Sequence, residues 1–145
     1  MARPLVSPVF KLHPDLARDG IPIGDFPLSR LLMINDAAYP WFVLVPRVPD
    51  IKDAYQLEPE QHQHLTEESR ALCNALMSAF NGEKMNVAAL GNMTPQLHVH
   101  HIVRFKNDPA WPGPIWGVQP MTPMTEVQIA VRRGLLKPYL PDLSP

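Results

Sequence analysis

Residues 96–104, Gln-Leu-His-Val-His-His-Ile-Val-Arg, contain three histidines and begin with strict alternation of polar and apolar residues. Strict alternation is typical of a half-buried β-strand, on which successive side chains point to opposite faces. Gln96, His98, His100 and Arg104 are therefore predicted to share one strand face. Buried imidazole nitrogens need hydrogen-bond partners, so a core strand with two histidines on one face indicates a functional pair.

The other histidines of the chain are predicted to have structural or solvent positions, and His13, before Pro14, is predicted to be a solvated loop residue. His101 falls on the opposite strand face with Leu97 and Val99, which suggests the core and predicts a satisfied or edge-exposed imidazole with its own hydrogen bond. His62 and His64 lie two residues apart at the start of a predicted helix. That spacing turns the two rings about 200° apart on a helix, so it favours a solvated helix start over a metal site.

The paired histidines suit chemistry at phosphorus. Near pH 7 a neutral imidazole is a competent nucleophile and can also donate or accept a proton, so one ring could attack while the other handles charge. The preceding turn, residues 91–94, offers backbone N–H groups, the Asn92 amide and the Thr94 hydroxyl to phosphate oxygens. Arg104 is predicted either to neutralise charge at the pair or to be a solvated arginine at the strand end.

The run resembles the motif of the histidine triad family, His-φ-His-φ-His-φ-φ, where φ is apolar. Residues 91–94, Gly-Asn-Met-Thr, occupy the place of that family's Gly-Gln-Ser/Thr phosphate loop, and residues 108–113 supply a Trp-Pro element. The resemblance extends from the predicted strand near Leu31 to Gly117. Three positions depart from the motif, and they are Gln96 for the first histidine, Asn92 for the loop glutamine and Met93 for the loop hydroxyl.

The resemblance implies a role for each residue of the polar triplet. His98 would attack the α-phosphorus of a nucleotide and form a transient nucleotidyl-histidine, and His100 would hydrogen-bond the phosphate in flight. Gln96 would support the nucleophile by hydrogen bonding, because an amide carries no proton to transfer at physiological pH.

Substrate contacts are also implied by the resemblance. Asn35 lies where the family has an Asp or Asn on the ribose hydroxyls, and Asn92 matches the amide of the phosphate loop. Asn86 lies one residue from another amide position of the family. Thr94 and Arg104 complete the expected substrate-binding residues.

The predicted function is hydrolysis of a nucleoside phosphoramidate or a dinucleoside polyphosphate at the α-phosphate. One alternative is a nucleotide-binding protein with little or no turnover, which Gln96 and Met93 would favour. Another is a metal enzyme that uses His98 and His100 as ligands, but the sequence shows no further ligand cluster at metal-binding spacing. We expect neither a metal nor a cofactor.

Composition and net charge narrow the classes of protein to which the chain could belong. The 145 residues fit one histidine-triad-like domain, residues 1–145, and the net charge of −1 predicts no nucleic-acid partner. One cysteine excludes an internal disulfide framework, and no apolar run approaches the roughly 18 residues that span a bilayer. A cytoplasmic protein is expected.

An apolar long helix and a loop with Trp111 and Trp116 predict a homodimer, as the resemblance also implies.

Hydrophobic periodicity and proline positions predict the order of the elements. Strands are predicted at residues 29–35, 41–45, 84–90 and 96–105, and helices at residues 58–80 and 126–136. A helical turn at residues 15–19 and a strand entrance at residues 21–23 precede them. This order predicts an α+β fold, an antiparallel sheet with one long helix and a short C-terminal helix. It agrees with the fold that the histidine triad resemblance implies.

Overall fold

A computed structural model describes residues 4–145, in which one antiparallel sheet packs against a long helix. The strands are β1 (Gly20–Asp25), β2 (Ser29–Ile34), β3 (Trp41–Pro46), β4 (Lys84–Ala88) and β5 (Val99–Arg104). The helices are α1 (Pro14–Asp19), α2 (Pro59–Phe80) and α3 (Glu126–Leu136), and Ala54–Gln56 and Lys137–Tyr139 form 3₁₀ turns. The strand order is β1-β2-β3-β5-β4. The predicted α+β fold is confirmed.

The histidine strand begins later than its alternation predicts. β5 starts at Val99, so Gln96 and His98 precede the strand and the predicted start at residue 96 is wrong. The reason is a competing backbone contact, because the Leu97 N–H donates to the Ile51 carbonyl, 2.8 Å away, in the linker before α2. Because this N–H already has a partner in the linker, it cannot also form a backbone hydrogen bond to β3, and the pairing of β5 with β3 begins later.

A full strand replaces the short strand entrance predicted at residues 21–23. β1 pairs with β2 along its length, with an irregularity between Pro22 and Gly24. β1 is an edge strand of the sheet, so one of its sides has no neighbouring strand. Proline, which lacks a backbone N–H, is accepted in edge strands because no hydrogen bond is required on that side. Pro22 is therefore tolerated in β1.

The long helix α2 is delimited by local signals at both ends. At its start the Glu58 N–H donates to the Gln61 side chain, and Pro59 occupies the first turn. At its end Asn81 adopts the left-handed conformation, with a φ of 51°. Gly82, which follows, is required for a different reason, since a Cβ there would overlap the Val103 side chain.

The two faces of the sheet are covered differently. The face toward α2 forms the main core, whose buried members include Leu31, Met33, Phe42, Leu44, Val103, Leu65, Leu72 and Leu76. On the other face, Phe10, Leu12 and Leu16 from the N-terminal segment pack on strands β2 and β3. The loop after β5 covers the same face nearer β5, through Ile115 and Trp116. No helix among residues 4–145 is long and apolar enough to cross a membrane.

A buried carboxylate that sequence patterns did not reveal joins α2 to the sheet. Glu68 accepts hydrogen bonds from the backbone N–H groups of Leu28 and Ser29, at 2.8 and 3.0 Å. Burial raises the pKa of this carboxyl, and the hydrogen bonds from residues 28 and 29 oppose that rise. Glu68 thereby fixes the turn between β1 and β2 against the helix.

His101 is fully buried on the α2 side of the sheet, as its position in the alternation predicts. Its Nδ1–H donates to the Val99 carbonyl, 2.9 Å away, since a carbonyl can only accept. Its Nε2 therefore accepts from the Ser69 hydroxyl on α2, 2.7 Å away. Both nitrogens are satisfied inside the core, so this histidine has a structural role.

Stability should fall as the pH is lowered from about 6.5 toward about 4. Burial lowers the pKa of His101 from 6.5 to about 4 and that of His100 to about 3. In this window the unfolded chain binds protons that the folded protein does not, so the free energy of unfolding rises with pH. His101→Gln should reduce that slope.

Urea unfolding at several pH values measures the slope for the wild type and the variant. His62→Gln, at an exposed position of α2, is the matched control and should leave the slope unchanged. An equal slope in wild type and His101→Gln would contradict the assignment.

Candidate active site

His98 and His100 lie side by side on the sheet face away from α2. Their ring centroids are 4.8 Å apart with the planes inclined by 73°, and each residue is 8% exposed. His100 belongs to β5 and pairs with Val43 of β3 and Ala88 of β4. The predicted pair is therefore brought together, although only one member lies within the strand.

Hydrogen bonding fixes the orientation and tautomer of His98. Its Nδ1 lies 2.7 Å from the backbone carbonyl of Gln96, which can only accept, so Nδ1 carries the hydrogen. In the neutral ring Nε2 then holds a lone pair. Within residues 4–145 Nε2 has no hydrogen-bond partner, so this lone pair is free to react.

His100 contacts two tryptophans as well as His98. The Trp41 indole N–H donates to His100 Nδ1 over 3.0 Å, and the Trp116 ring lies edge-on to His100 with centroids 4.8 Å apart. Burial, with smaller contributions from the neighbouring His98 and His101, lowers the pKa of His100 to about 3. His100 is thus neutral at physiological pH. Sequence reasoning did not identify Trp41 or Trp116 as part of the site.

Gln96 holds the N-terminal segment against the histidines. Its Oε1 accepts the His13 N–H and its Nε2 donates to the Lys11 carbonyl, each over 2.8 Å. These bonds aim its amide at the backbone of residues 11–13. His13, predicted to be a solvated loop residue, is instead the half-buried cap of α1, where its Nδ1 accepts the Asp15 N–H.

Arg104 is buried in a network of its own, with 2% of its surface exposed. It forms a two-pronged ion pair with Asp108, at 2.7 and 3.0 Å, and donates to Asn86 Oδ1 and the Gly113 carbonyl, both at 2.8 Å. The Tyr39 and Trp111 rings lie 5.8 Å from its guanidinium carbon. Neither predicted position is right, because Arg104 is neither solvated nor directed at the histidine pair.

Burial alone would raise the pKa of the Asp108 carboxyl, but the Arg104 hydrogen bond and two backbone N–H groups lower it below its ordinary value. Asp108 also accepts the Phe105 and Trp111 N–H groups. One carboxylate thus neutralises the arginine and shapes the turn after β5. Asn86, predicted to bind substrate, is engaged here through its carbonyl oxygen.

The other predicted binding residues are distributed around the site. Asn35 follows β2, and its Oδ1 accepts the Met124 N–H over 2.8 Å, ahead of α3. Thr94 donates its hydroxyl to Asp15 of α1 over 2.9 Å, which uses the hydrogen that a phosphate oxygen would need. Asn92 is exposed in the same loop, and Met93 is 93% exposed.

A cleft of about 340 Å³ lies beside the pair, between β4 and the loop after β5. Ala88 and Ile102, neighbours of His100 in the sheet, form part of its floor, and Trp116 forms a wall. Among residues 4–145 no group of three or more His, Cys, Asp or Glu side chains is arranged to hold a metal ion. The site thus consists of two adjacent imidazoles, a tryptophan ring against one of them and a neighbouring cleft.

The fold and the paired histidines on one sheet face define a protein of the HIT type. A model of the HIT domain matches residues 18–107, more than half of the chain. The chain belongs to the histidine triad (HIT) family. Membership of this family suggests nucleotide binding or hydrolase activity.

Solved structures agree with this family. The chain is 53% identical to a histidine triad protein from Marinobacter aquaeolei, with a TM-score of 0.88 over 90% of this chain and 96% of that one. A histidine triad protein from Bradyrhizobium japonicum is 41% identical, with a TM-score of 0.89 over 92% and 99% of the two chains.

More distant structures share only the fold. A hypothetical histidine triad nucleotide-binding protein from Sulfolobus tokodaii is 9% identical, with a TM-score of 0.65 over 86% and 88% of the chains. The comparison with curated proteins gives no match.

Asp108→Asn should lower the free energy of unfolding by about 3–5 kcal/mol, because it leaves the buried Arg104 charge without its partner. Lys106→Gln, which removes an exposed ion pair with Glu83, is the control and should cost no more than about 1 kcal/mol. Denaturant unfolding of both variants at neutral pH measures the difference. Equal losses in the two variants would contradict the importance of the buried pair.

Proposed function

We propose that this protein hydrolyses a nucleoside phosphoramidate or a dinucleoside polyphosphate at the α-phosphate, through a nucleotidyl-histidine on His98. The observation that carries the proposal is the hydrogen bond from His98 Nδ1–H to the Gln96 carbonyl. Among residues 4–145 it leaves Nε2 of His98 without a hydrogen-bond partner, beside the neutral imidazole of His100. A lone pair held in one orientation is the requirement for nucleophilic attack at phosphorus.

The reaction would proceed in two displacements. In the first, His98 Nε2 forms a bond to the α-phosphorus while the bond from phosphorus to the leaving group breaks. The ring then carries a positive charge, and the Gln96 carbonyl stabilises its Nδ1–H. In the second, a water oxygen forms a bond to phosphorus while the bond from phosphorus to Nε2 breaks, and the electron pair of that bond returns to the His98 ring, which becomes neutral again. The water gives its proton to the solvent, which also supplies the proton that an amine leaving group takes up.

We propose that Gln96 occupies the position of the first triad histidine. Its support is the place of Gln96 two residues before His98 in the motif. Its amide holds residues 11–13, and its backbone carbonyl orients the nucleophile. This arrangement gives Gln96 an influence on rate through His98 without a proton transfer of its own.

Among the other predicted contacts, we propose that the Asn92 amide binds phosphate, and its support is that Asn92 is exposed in the loop before His98. Asn35 retains its amide N–H groups for a ribose hydroxyl after its Oδ1 is used by Met124. We further propose that residues 1–145 form a single domain that acts in the cytoplasm without nucleic-acid partners, in keeping with a net charge of −1.

A nucleotide-binding protein with little turnover is the second candidate. The commitment of both Gln96 amide groups to the N-terminal segment favours it, because no proton-transfer group then stands at the first triad position. The two candidates differ in turnover, whereas both predict nucleotide binding.

His98→Ala should abolish turnover and leave nucleotide binding largely intact, since it removes the nucleophile and therefore the reaction path. His100→Ala should reduce turnover by about 10²–10⁴-fold, the range for a supporting group. Gln96→His should change the rate only modestly. Steady-state kinetics on adenosine and guanosine phosphoramidates and on dinucleoside tri- and tetraphosphates compare these variants.

Rapid-quench trapping of a nucleotidyl-protein adduct, followed by peptide mapping, identifies the nucleophile. Calorimetric titration with a nucleoside monophosphate checks that His98→Ala still binds. Near-normal turnover in His98→Ala, or an adduct on His100 or His101, would refute the mechanism. Nucleotide binding without turnover in the wild type would favour the second candidate.

We also propose a homodimer, but the long helix does not supply the apolar surface that the sequence suggests. The apolar residues of α2 pack on the sheet of the same chain. Exposed apolar side chains lie elsewhere, at Val127, Val131 and Leu135 along α3 and at Val87 of the edge strand β4.

Sedimentation equilibrium at micromolar concentration should therefore give twice the chain mass of 16.3 kDa. Burial of exposed apolar surface against a second copy is the physical reason for this expectation. The mass of one chain across the concentration series would contradict it.

A further inference from the structure

Resting on the proposed function, we infer that Trp41 is a positioning residue that holds His100 in its Nε2–H tautomer. His100 would then present a hydrogen-bond donor to a phosphate oxygen beside the His98 lone pair. Trp41 itself touches neither substrate nor the reacting atoms in this proposal. It acts through the ring of His100.

The contact itself determines the tautomer. The Trp41 Nε1–H lies 3.0 Å from His100 Nδ1, and an indole nitrogen can donate but cannot accept. Nδ1 must therefore offer its lone pair, and the single hydrogen of the neutral ring resides on Nε2. Within residues 4–145 Nε2 of His100 has no hydrogen-bond partner, so this N–H is free to meet a ligand.

The two rings of the pair consequently have opposite tautomers. His98 carries its hydrogen on Nδ1, toward the Gln96 carbonyl, and His100 carries its hydrogen on Nε2. The first ring exposes an acceptor and the second exposes a donor. A nucleophile beside a donor is the combination that attack on a phosphate ester or anhydride uses, because the donor neutralises charge on the phosphate oxygens.

The fold holds the indole firmly enough for this role. Trp41 is the first residue of β3 and lies opposite Ile102, on the same sheet face as His100. The Trp116 ring packs edge-on against it, with centroids 5.8 Å apart. The turn before Trp41 is fixed by Arg132 of α3, which donates to the carbonyls of residues 36, 37 and 39.

Nitrogen-15 NMR of the histidine side chains tests the inference in the free protein. In the wild type, His100 should show its hydrogen on Nε2 and an unprotonated Nδ1. Trp41→Phe removes the indole N–H but keeps an aromatic ring, so the two His100 nitrogen signals should move toward each other as the tautomers mix. Trp116→Phe, which removes the other indole beside His100, is the matched control, because within residues 4–145 the Trp116 indole makes no hydrogen bond to His100. Its His100 signals should keep the wild-type tautomer.

Kinetics supply the second readout. Trp41→Phe should lower kcat about 5- to 10-fold with little change in KM, because one neutral hydrogen bond contributes about 1 kcal/mol. The adduct should still form on His98. A purely structural role would instead lower the melting temperature and leave the His100 tautomer unchanged.

A wild-type His100 with its hydrogen on Nδ1, or a Trp41→Phe protein with the wild-type tautomer, would overturn the inference. The first of these measurements needs no variant, so it decides the question even if Trp41→Phe fails to fold. The NMR readings do not depend on turnover. If the wild type hydrolyses no nucleotide, the proposed function is refuted. The tautomer of His100 is still decided by the NMR measurement.

Discussion

The ion pair between Arg104 and Asp108 joins the histidine strand to the loop that closes over it. Arg104 is 2% exposed, and a guanidinium buried so deeply is tolerated only when its charge and its N–H groups have partners. Its four hydrogen bonds, two to Asp108 and one each to Asn86 and Gly113, provide those partners. Asp108 in turn organises the backbone that leads to Trp116, which packs against His100. The geometry of the site therefore depends on an interaction that does not itself touch the reacting groups.

Local patterns were sufficient for the order of most elements and for the central pair. Alternation depends only on neighbours in sequence, and it correctly placed His98 and His100 together, on the side of the sheet opposite to His101. Capping residues and spacing likewise located both main helices. The start of β5 was wrong because a linker carbonyl at Ile51 competes for the Leu97 N–H, and no periodicity records that contact.

The surroundings of the pair could not be predicted, because they depend on contacts between distant parts of the chain. Trp41 meets His100 across 59 positions, through the register of β3 against β5. A tryptophan at the start of a strand carries no local sign of that register. The same holds for Glu68, whose partners lie 39 and 40 positions away, and for the amide contacts of Gln96.

The attachment of the N-terminal segment by Gln96 has a consequence for the order of folding. Residues 11 and 13 are synthesised early, yet their partner lies 85 and 83 positions later in the chain. Loop closure over such a separation is slow compared with local structure. On the ribosome, Phe10, Leu12 and Leu16 can therefore pack on β2 and β3 before the backbone of residues 11–13 meets Gln96. The N-terminal segment is thus packed early and fastened late.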